Sequence, residues 1–401
     1  MGGGPLTLLG LVAGGFAGGL LAAWPPWAEV VVAVCMPVGR VWLSALQMTV
    51  LPLVVSVLII GVADVASVAQ AGRVARHALA WMISLSLFSS ILGVMLARLA
   101  FSCLPQSPSL AKALAAAGGS EAVATPATNW LALIPSNVVA AAAAGGIAPV
   151  VVFTLAFAVS LSQLDPARRA PVIELARSLA AAMTVLIGWI LAAAPIGVFA
   201  LAVPLASAGG GHAIGLLGSY VAVLIGVYAA IVVCMYGVAW LSGCGLRRFL
   251  VTSLAPQGVA AGTQSSLASL PAMLRASDEL GLAPSVSGLV LPLAVSLFRV
   301  MSPVQYLVVA EFIAWSRGVE IGLPSLLMLV PLAVVISLGS VGLPGQASFM
   351  GTTLPLVQAA GLPVEPLGLL MAVDVIPDVA ATVGNVTADL ALTASVAMPK
   401  R

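Results

Sequence analysis

Within a long apolar stretch from Leu367 to Met398, the chain carries Asp374, Asp378, Thr382, Asn385 and Asp389 at steps of 4, 4, 3 and 4. On a helix of 3.6 residues per turn these steps place all five side chains in one stripe. A carboxylate at bilayer depth costs about 2.5 to 3.5 kcal/mol, so three in one segment call for partners: ions, ligands, protons or an arginine. The stripe is therefore the first candidate for a functional site.

The rest of the chain supplies the membrane that makes those carboxylates expensive. Of 401 residues, 61% are hydrophobic and 7% are charged, against roughly 25% charged in soluble domains. This is the composition of an integral membrane protein. A net charge of +2, with only two lysines among fifteen basic residues, gives no basic surface for nucleic acid. Cys35, Cys103, Cys234 and Cys244 have no paired spacing, and His77 and His212 stand alone, so no d-block metal, thiol or other cofactor site is expected. The N-terminal apolar run lacks a positive leader and reads as a first span rather than a cleaved signal.

Apolar runs of spanning length fall near 5–24, 41–68, 78–103, 131–162, 176–206, 214–242, 284–315 and 362–398. Arg73 and Arg76, then Arg168, Arg169 and Arg177, then Arg247 and Arg248, and finally Lys400 and Arg401 follow the even-numbered spans. The positive-inside rule puts both termini in the cytoplasm, with the inner (plasma) membrane as the expected location. Two further segments, 249–274 with GTQSSLASLP and 323–358 with GSVGLPGQASFMGTTLP, are apolar but broken by Gly, Ser and Pro. Non-helical backbone at membrane depth survives only where protein or a watery cavity satisfies it, so both read as re-entrant hairpins. Each precedes a span with polar residues in its middle. That twofold pattern is the mark of a transporter built from repeats, with its site between them.

At these residues the chain resembles the dicarboxylate/amino acid:cation symporters, also called glutamate transporter homologues. The likeness runs through VLPLVVSVLIIGVADV, LGVMLARL, IPSNVVAAAAAGGIAPVVVF, APIGVFAL, QSSLASLP, GLPGQASFM and NVTADL, in that order. The resemblance implies an all-α membrane protein of eight transmembrane helices plus two re-entrant helical hairpins in inverted repeats, assembled as a homotrimer. Residues 1–68 (spans one and two) and 105–212 (spans four and five) would form a fixed scaffold. Residues 69–104 (span three) and 213–401 (span six to span eight, with both hairpins) would form a transport domain that moves like an elevator. The first hairpin would face the cytoplasm and the second would gate the outer side.

The resemblance also implies roles. Asp378 aligns with the aspartate that holds a substrate ammonium and Asn385 with the asparagine that holds its carboxylate. These chemistries suit the residues, and Thr382 adds a hydroxyl on the same face. Gln264, Ser265 and Ser266 at the first hairpin tip, and Leu343, Pro344, Gly345 and Ala347 at the second, would close the pocket. Ser, Thr and Asn can equally serve to pack helices together.

Departures from the family pattern carry more information. The arginine that acidic-substrate members place three residues after the amine-binding aspartate is Ala381, and the alternative arginine at the first hairpin tip is Gln264. A second ligand carboxylate would lack its usual partner, so the expected substrate is a neutral amino acid. The family's Asn-Met-Asp-Gly-Thr sodium sequence falls on Arg299, Val300, Met301, Ser302 and Pro303, and its partners in span three on Met82, Leu85 and Ser86. That site has lost most of the oxygens a hard cation needs.

Arg299 is then read as a tethered replacement ion paired with Asp374 or Asp389. It could also reach a watery vestibule, or bind a substrate carboxylate and so restore an acidic amino acid or C4-dicarboxylate as substrate. A sodium site at Asn385 and Asp389, proton coupling through Asp374, Asp389 or Glu311, and uncoupled exchange all stay open. Glu311 could instead be an interface residue at the outer end of span seven. A substrate-gated anion channel is the reading from another class. An aspartyl enzyme built on Asp374 and Asp378 lacks any accompanying motif, so no enzyme is expected.

Overall fold

Long apolar runs leave the backbone no solvent partner at bilayer depth, and an internally bonded helix is the economical answer. In this computed structural model, which describes residues 3–70, 72–104, 134–209, 211–339 and 345–397, the chain forms an all-α membrane protein. The sixteen helices among the described residues are α1 (Gly3–Leu21), α2 (Pro25–Gln70), α3 (Arg73–Ser102), α4 (Val138–Ala143), α5 (Ile147–Ser162), α6 (Pro166–Ala192), α7 (Ala194–Gly209) and α8 (Gly211–Leu241), followed by α9 (Leu246–Thr263), α10 (Ser266–Leu280), α11 (Pro284–Leu297), α12 (Met301–Ser316), α13 (Leu323–Gly339), α14 (Gly345–Ala359), α15 (Pro366–Val373) and α16 (Val375–Ala397).

Six helical stretches among the described residues are long and apolar enough to cross a membrane, and Leu6–Leu21, Ile147–Ser162, Ala194–Ser207 and Leu323–Gly339 are shorter apolar helices. Several boundaries differ from those expected. The second span, expected from residue 41, belongs to a 46-residue helix that begins at Pro25. The fourth run divides at Gly145 and Gly146, with Gly145 at φ 75°, into short α4 and 16-residue α5. The run 176–206, expected as one span, divides into α6 and α7 at Ala193. Pro195 explains that division, because it has no N–H to return to Leu191.

The two broken segments form helical pairs. Helices α9 and α10 pack together and are joined by only Gln264 and Ser265. Gln264 takes a left-handed conformation at φ 52°, the one such non-glycine among the described residues, and the Ser265 hydroxyl caps α10 by accepting from the Ala268 N–H at 3.2 Å. This is a two-residue reversal with its own N-cap. Helices α13 and α14 also pack together; their connection, 340–344, lies outside the described residues.

Each pair is followed by an interrupted span. α11 and α12 are separated by Phe298–Val300, with Phe298 extended at φ −101°, ψ 97°. α15 and α16 are separated by Asp374. Proline accounts for both positions: Pro303 cannot bond the carbonyl of Arg299, and Pro377 cannot bond that of Val373. The Arg299 carbonyl instead accepts from Ser302 N at 3.0 Å and from the Ser337 hydroxyl at 3.4 Å.

The helices sort into two neighbourhoods. α1 packs on α7, and α2 on α5, α6 and α7; α16 sits among α3, α8, α9, α10, α11 and α12. Between the neighbourhoods, α2 touches α13 and α14. At that crossing a Cβ added to Gly339 would lie 2.2 Å from the Val57 carbonyl oxygen, and one added to Gly61 would lie 2.9 Å from the Gly339 Cα. Helix backbones therefore meet there without intervening side chains.

Candidate functional site

Helix α16 presents the stripe to the broken span and to the first hairpin tip. Asp374 (7% exposed) and Asp389 (0%) are buried, and Asp378 and Asn385 are half-buried. One hydrogen bond ties the stripe to the α11–α12 break: the Met301 N–H donates to Asn385 Oδ1 at 2.9 Å. Gly384 makes this approach possible, since a Cβ there would fall 2.3 Å from Met301 Cε. The first hairpin arrives from another side, with Gln264 Nε2 at 3.5 Å from the Val375 carbonyl. The tip thus rests against the Asp374 interruption.

The stripe residues differ in what engages them. Asp374 Oδ1 accepts from Gln305 Nε2, and its charge faces that of Asp378. The Thr382 hydroxyl donates to the Asp378 carbonyl at 2.8 Å, which leaves its lone pairs to accept. Asn385 has its oxygen engaged by Met301, so its NH₂ is the end left to donate to a ligand. Asp389 has neither carboxylate oxygen in a hydrogen bond despite complete burial.

Arg299 lies in the unwound segment, half-buried. Its positive charge acts on Asp378 and on Asp389, yet it belongs to neither of the two ion pairs within 4 Å among the described residues. Sequence offered Asp374 or Asp389 as its partner; among the described residues no ion pair within 4 Å joins it to either, and Gln305 engages Asp374 Oδ1. From α3, Met82 (0%), Leu85 (5%) and Ser86 (4%) are buried, so two of the three offer alkyl or thioether surface. Among the remaining expected residues, Ser266 opens α10, Gly345 opens α14 and Ala347 is buried within it. Leu343 and Pro344 lie outside the described residues.

Several functional side chains were missed in sequence. Gln305 is one. Gln257 is another: its Nε2 reaches the Tyr236 hydroxyl and the Thr387 hydroxyl, each at 2.8 Å, and so joins α8, α9 and α16. A glutamine in an apolar hairpin is the signal that was available. Arg98 is the third. It pairs with Glu311 at 2.8 Å and also donates to the Ile321 carbonyl just before α13, which makes Glu311 a buried ion-pair partner.

A broken helix pinned on a polar stripe, beside two helical hairpins, makes this the candidate site. The family model described as the sodium:dicarboxylate symporter family matches residues 5–398. The chain belongs to this family. It is similar to the proton/glutamate-aspartate symporter of Escherichia coli K12, at 28% identity over 89% of this chain and 83% of that one. It is also similar to the proton/sodium-glutamate symport protein of Bacillus subtilis, at 26% identity over 88% and 82%. C4-dicarboxylate transport protein 2 of Mesorhizobium japonicum shares 27% identity over 84% and 77%. As a member of the sodium:dicarboxylate symporters this chain is a multi-pass membrane transporter and not an enzyme.

Proposed function

We propose that this symporter moves a small amino acid with an uncharged side chain, by an elevator motion of α3 and α8–α16 against a scaffold of α1, α2 and α4–α7, in a homotrimer of the plasma membrane with both termini cytoplasmic. In this reading Asp378 takes the ammonium. The Asn385 NH₂ and the lone pairs of Thr382 take the carboxylate and ammonium sides of the same backbone group, and Gln264, Ser265, Ser266 and the Leu343–Ala347 segment close over it. The division of helices into two neighbourhoods, meeting on a glycine-lined crossing, supports the motion.

The observation that carries the substrate class is the charge balance around Asn385. Arg299 supplies one positive charge that already faces two carboxylates, and Ala381 stands one turn from Asp378 where a second cation would be needed. A ligand with a second carboxylate would add an uncompensated charge in a buried site. Competition against uptake in proteoliposomes tests this: serine, alanine and threonine should compete, and aspartate, glutamate and succinate should not.

A second reading is favoured by the relatives, whose names give glutamate, aspartate and C4-dicarboxylates. Here Arg299 turns from the stripe to a second ligand carboxylate. Competition by aspartate or succinate, with serine inert, is its signature.

A further inference from the structure

The relatives are named for different coupling ions, a proton in one and a proton or sodium in another, so what neutralises the deepest carboxylate of this chain is a question for its own residues. Asp389 is 0% exposed, and both its oxygens lack a hydrogen-bond partner. A buried carboxylate without compensation is among the costliest arrangements a protein can hold. Thr393 on the next turn donates its hydroxyl to the Asp389 backbone carbonyl at 2.7 Å rather than to the carboxylate.

One cation is placed to answer. The Met301–Asn385 bond holds the unwound segment against α16 one turn from Asp389 and two turns from Asp378. Arg299 sits two residues before Met301, at the non-helical end of that segment. A guanidinium cannot lose its proton in a protein, and its long side chain can exchange partners by rotamer change alone. We propose that Arg299 is the built-in counter-cation of Asp389, and that a substrate ammonium arriving at Asp378 takes over that carboxylate and hands the guanidinium to Asp389. The positive charge that a dissociable ion would supply at this depth is then a side chain, fixed to the moving part and returned with it. The handover rests on the amine role given to Asp378; the counter-cation role does not.

The test uses the purified full-length protein and salts alone, so its failure leaves the amino-acid reading untouched. Thermal stability is measured in sodium chloride against choline chloride, at pH 8 and pH 6, for the wild type, D389N, R299K, R299Q and the R299Q/D389N pair. The expected wild type and R299K are indifferent to the choice of salt cation. R299Q gains a saturable stabilisation of several degrees from sodium or from acid, and the double variant loses that response because the carboxylate is gone. A wild type stabilised by sodium in a way that D389N abolishes overturns the proposal. So does a folded R299Q that neither sodium nor acid stabilises. R299K keeps the charge and guards against a variant that simply fails to fold.

Discussion

The Met301 N–H and the Asn385 side-chain oxygen, 2.9 Å apart, join the interruption of one span to the polar stripe of another. A backbone donor freed by a helix break finds its acceptor on the residue that is left with an NH₂ to offer a ligand. The same side chain thus has a structural half and, in the proposed function, a binding half.

Replacing Asn385 separates the two halves. N385A orphans a buried N–H at a cost of about 1 to 3 kcal/mol and removes the ligand donor, so both melting temperature and uptake should fall. N385D keeps the acceptor for Met301 but has no NH₂. Its melting temperature should stay close to wild type while uptake drops at least about tenfold, a change of roughly 1.4 kcal/mol in ligand binding. Equal loss of stability in the two variants would show that the amide serves only the fold.

Specificity should change at Ala381, which is 7% exposed and one turn from Asp378. A381R adds the cation whose absence carries the neutral-substrate reading. Aspartate should then compete for uptake at least about tenfold better than in wild type, again roughly 1.4 kcal/mol. If wild type already prefers aspartate, Arg299 is the group to substitute next.

Glu311 and Arg98 form a pair in which the carboxylate is buried, at 8% side-chain exposure, and the arginine is 40% exposed. Removing the cation alone leaves a buried charge. R98Q should cost about 2 kcal/mol, less than a fully buried pair would because solvent screens the arginine end. R98Q/E311Q should recover much of that, as a double-mutant cycle in thermal denaturation can measure. Because Arg98 also holds the Ile321 carbonyl, loosening of the α13 root should show as faster hydrogen exchange there.

How much of this was legible beforehand follows from what proline and polar residues can signal. The stripe was readable because helical spacing is rigid, and both hairpins were readable because Gly, Ser and Pro interrupted apolar runs. The two-residue turn at Gln264 and Ser265 was not, since a glutamine in left-handed backbone leaves no local mark. The division at Ala193 could have been read from Pro195. The start of α2 at Pro25 was obscured by Glu29 and Arg40, which fit an interfacial helix as well as a loop. Partners across 69 to 213 positions, such as Gln305 with Asp374 or Arg98 with Glu311, depend on how helices meet, and a lone polar residue does not name its neighbour.

The crossing of α2 and α13 should be intolerant of any side chain. G339V places a Cβ 2.2 Å from the Val57 carbonyl oxygen, and overpacking of this kind costs about 1 to 3 kcal/mol. On the proposed motion, transport should suffer more than stability, because the helices are forced apart where one would slide past the other. G226A on α8, where an added Cβ meets nothing within 4 Å, is the matched control and should transport normally.

Helix α2 has a consequence of its own. With 46 residues it is about 69 Å long at 1.5 Å per residue, more than twice a hydrocarbon core of about 30 Å. It cannot stand upright within that layer, and Trp24 and Trp27 at its start are both exposed, as suits side chains that settle at headgroup level. Pro37 and Pro52 lie inside it, so tilting and kinking both accommodate its length, and the helices it packs on set its slope. On the proposed elevator motion, the path of α13 and α14, which touch this helix, would follow that slope.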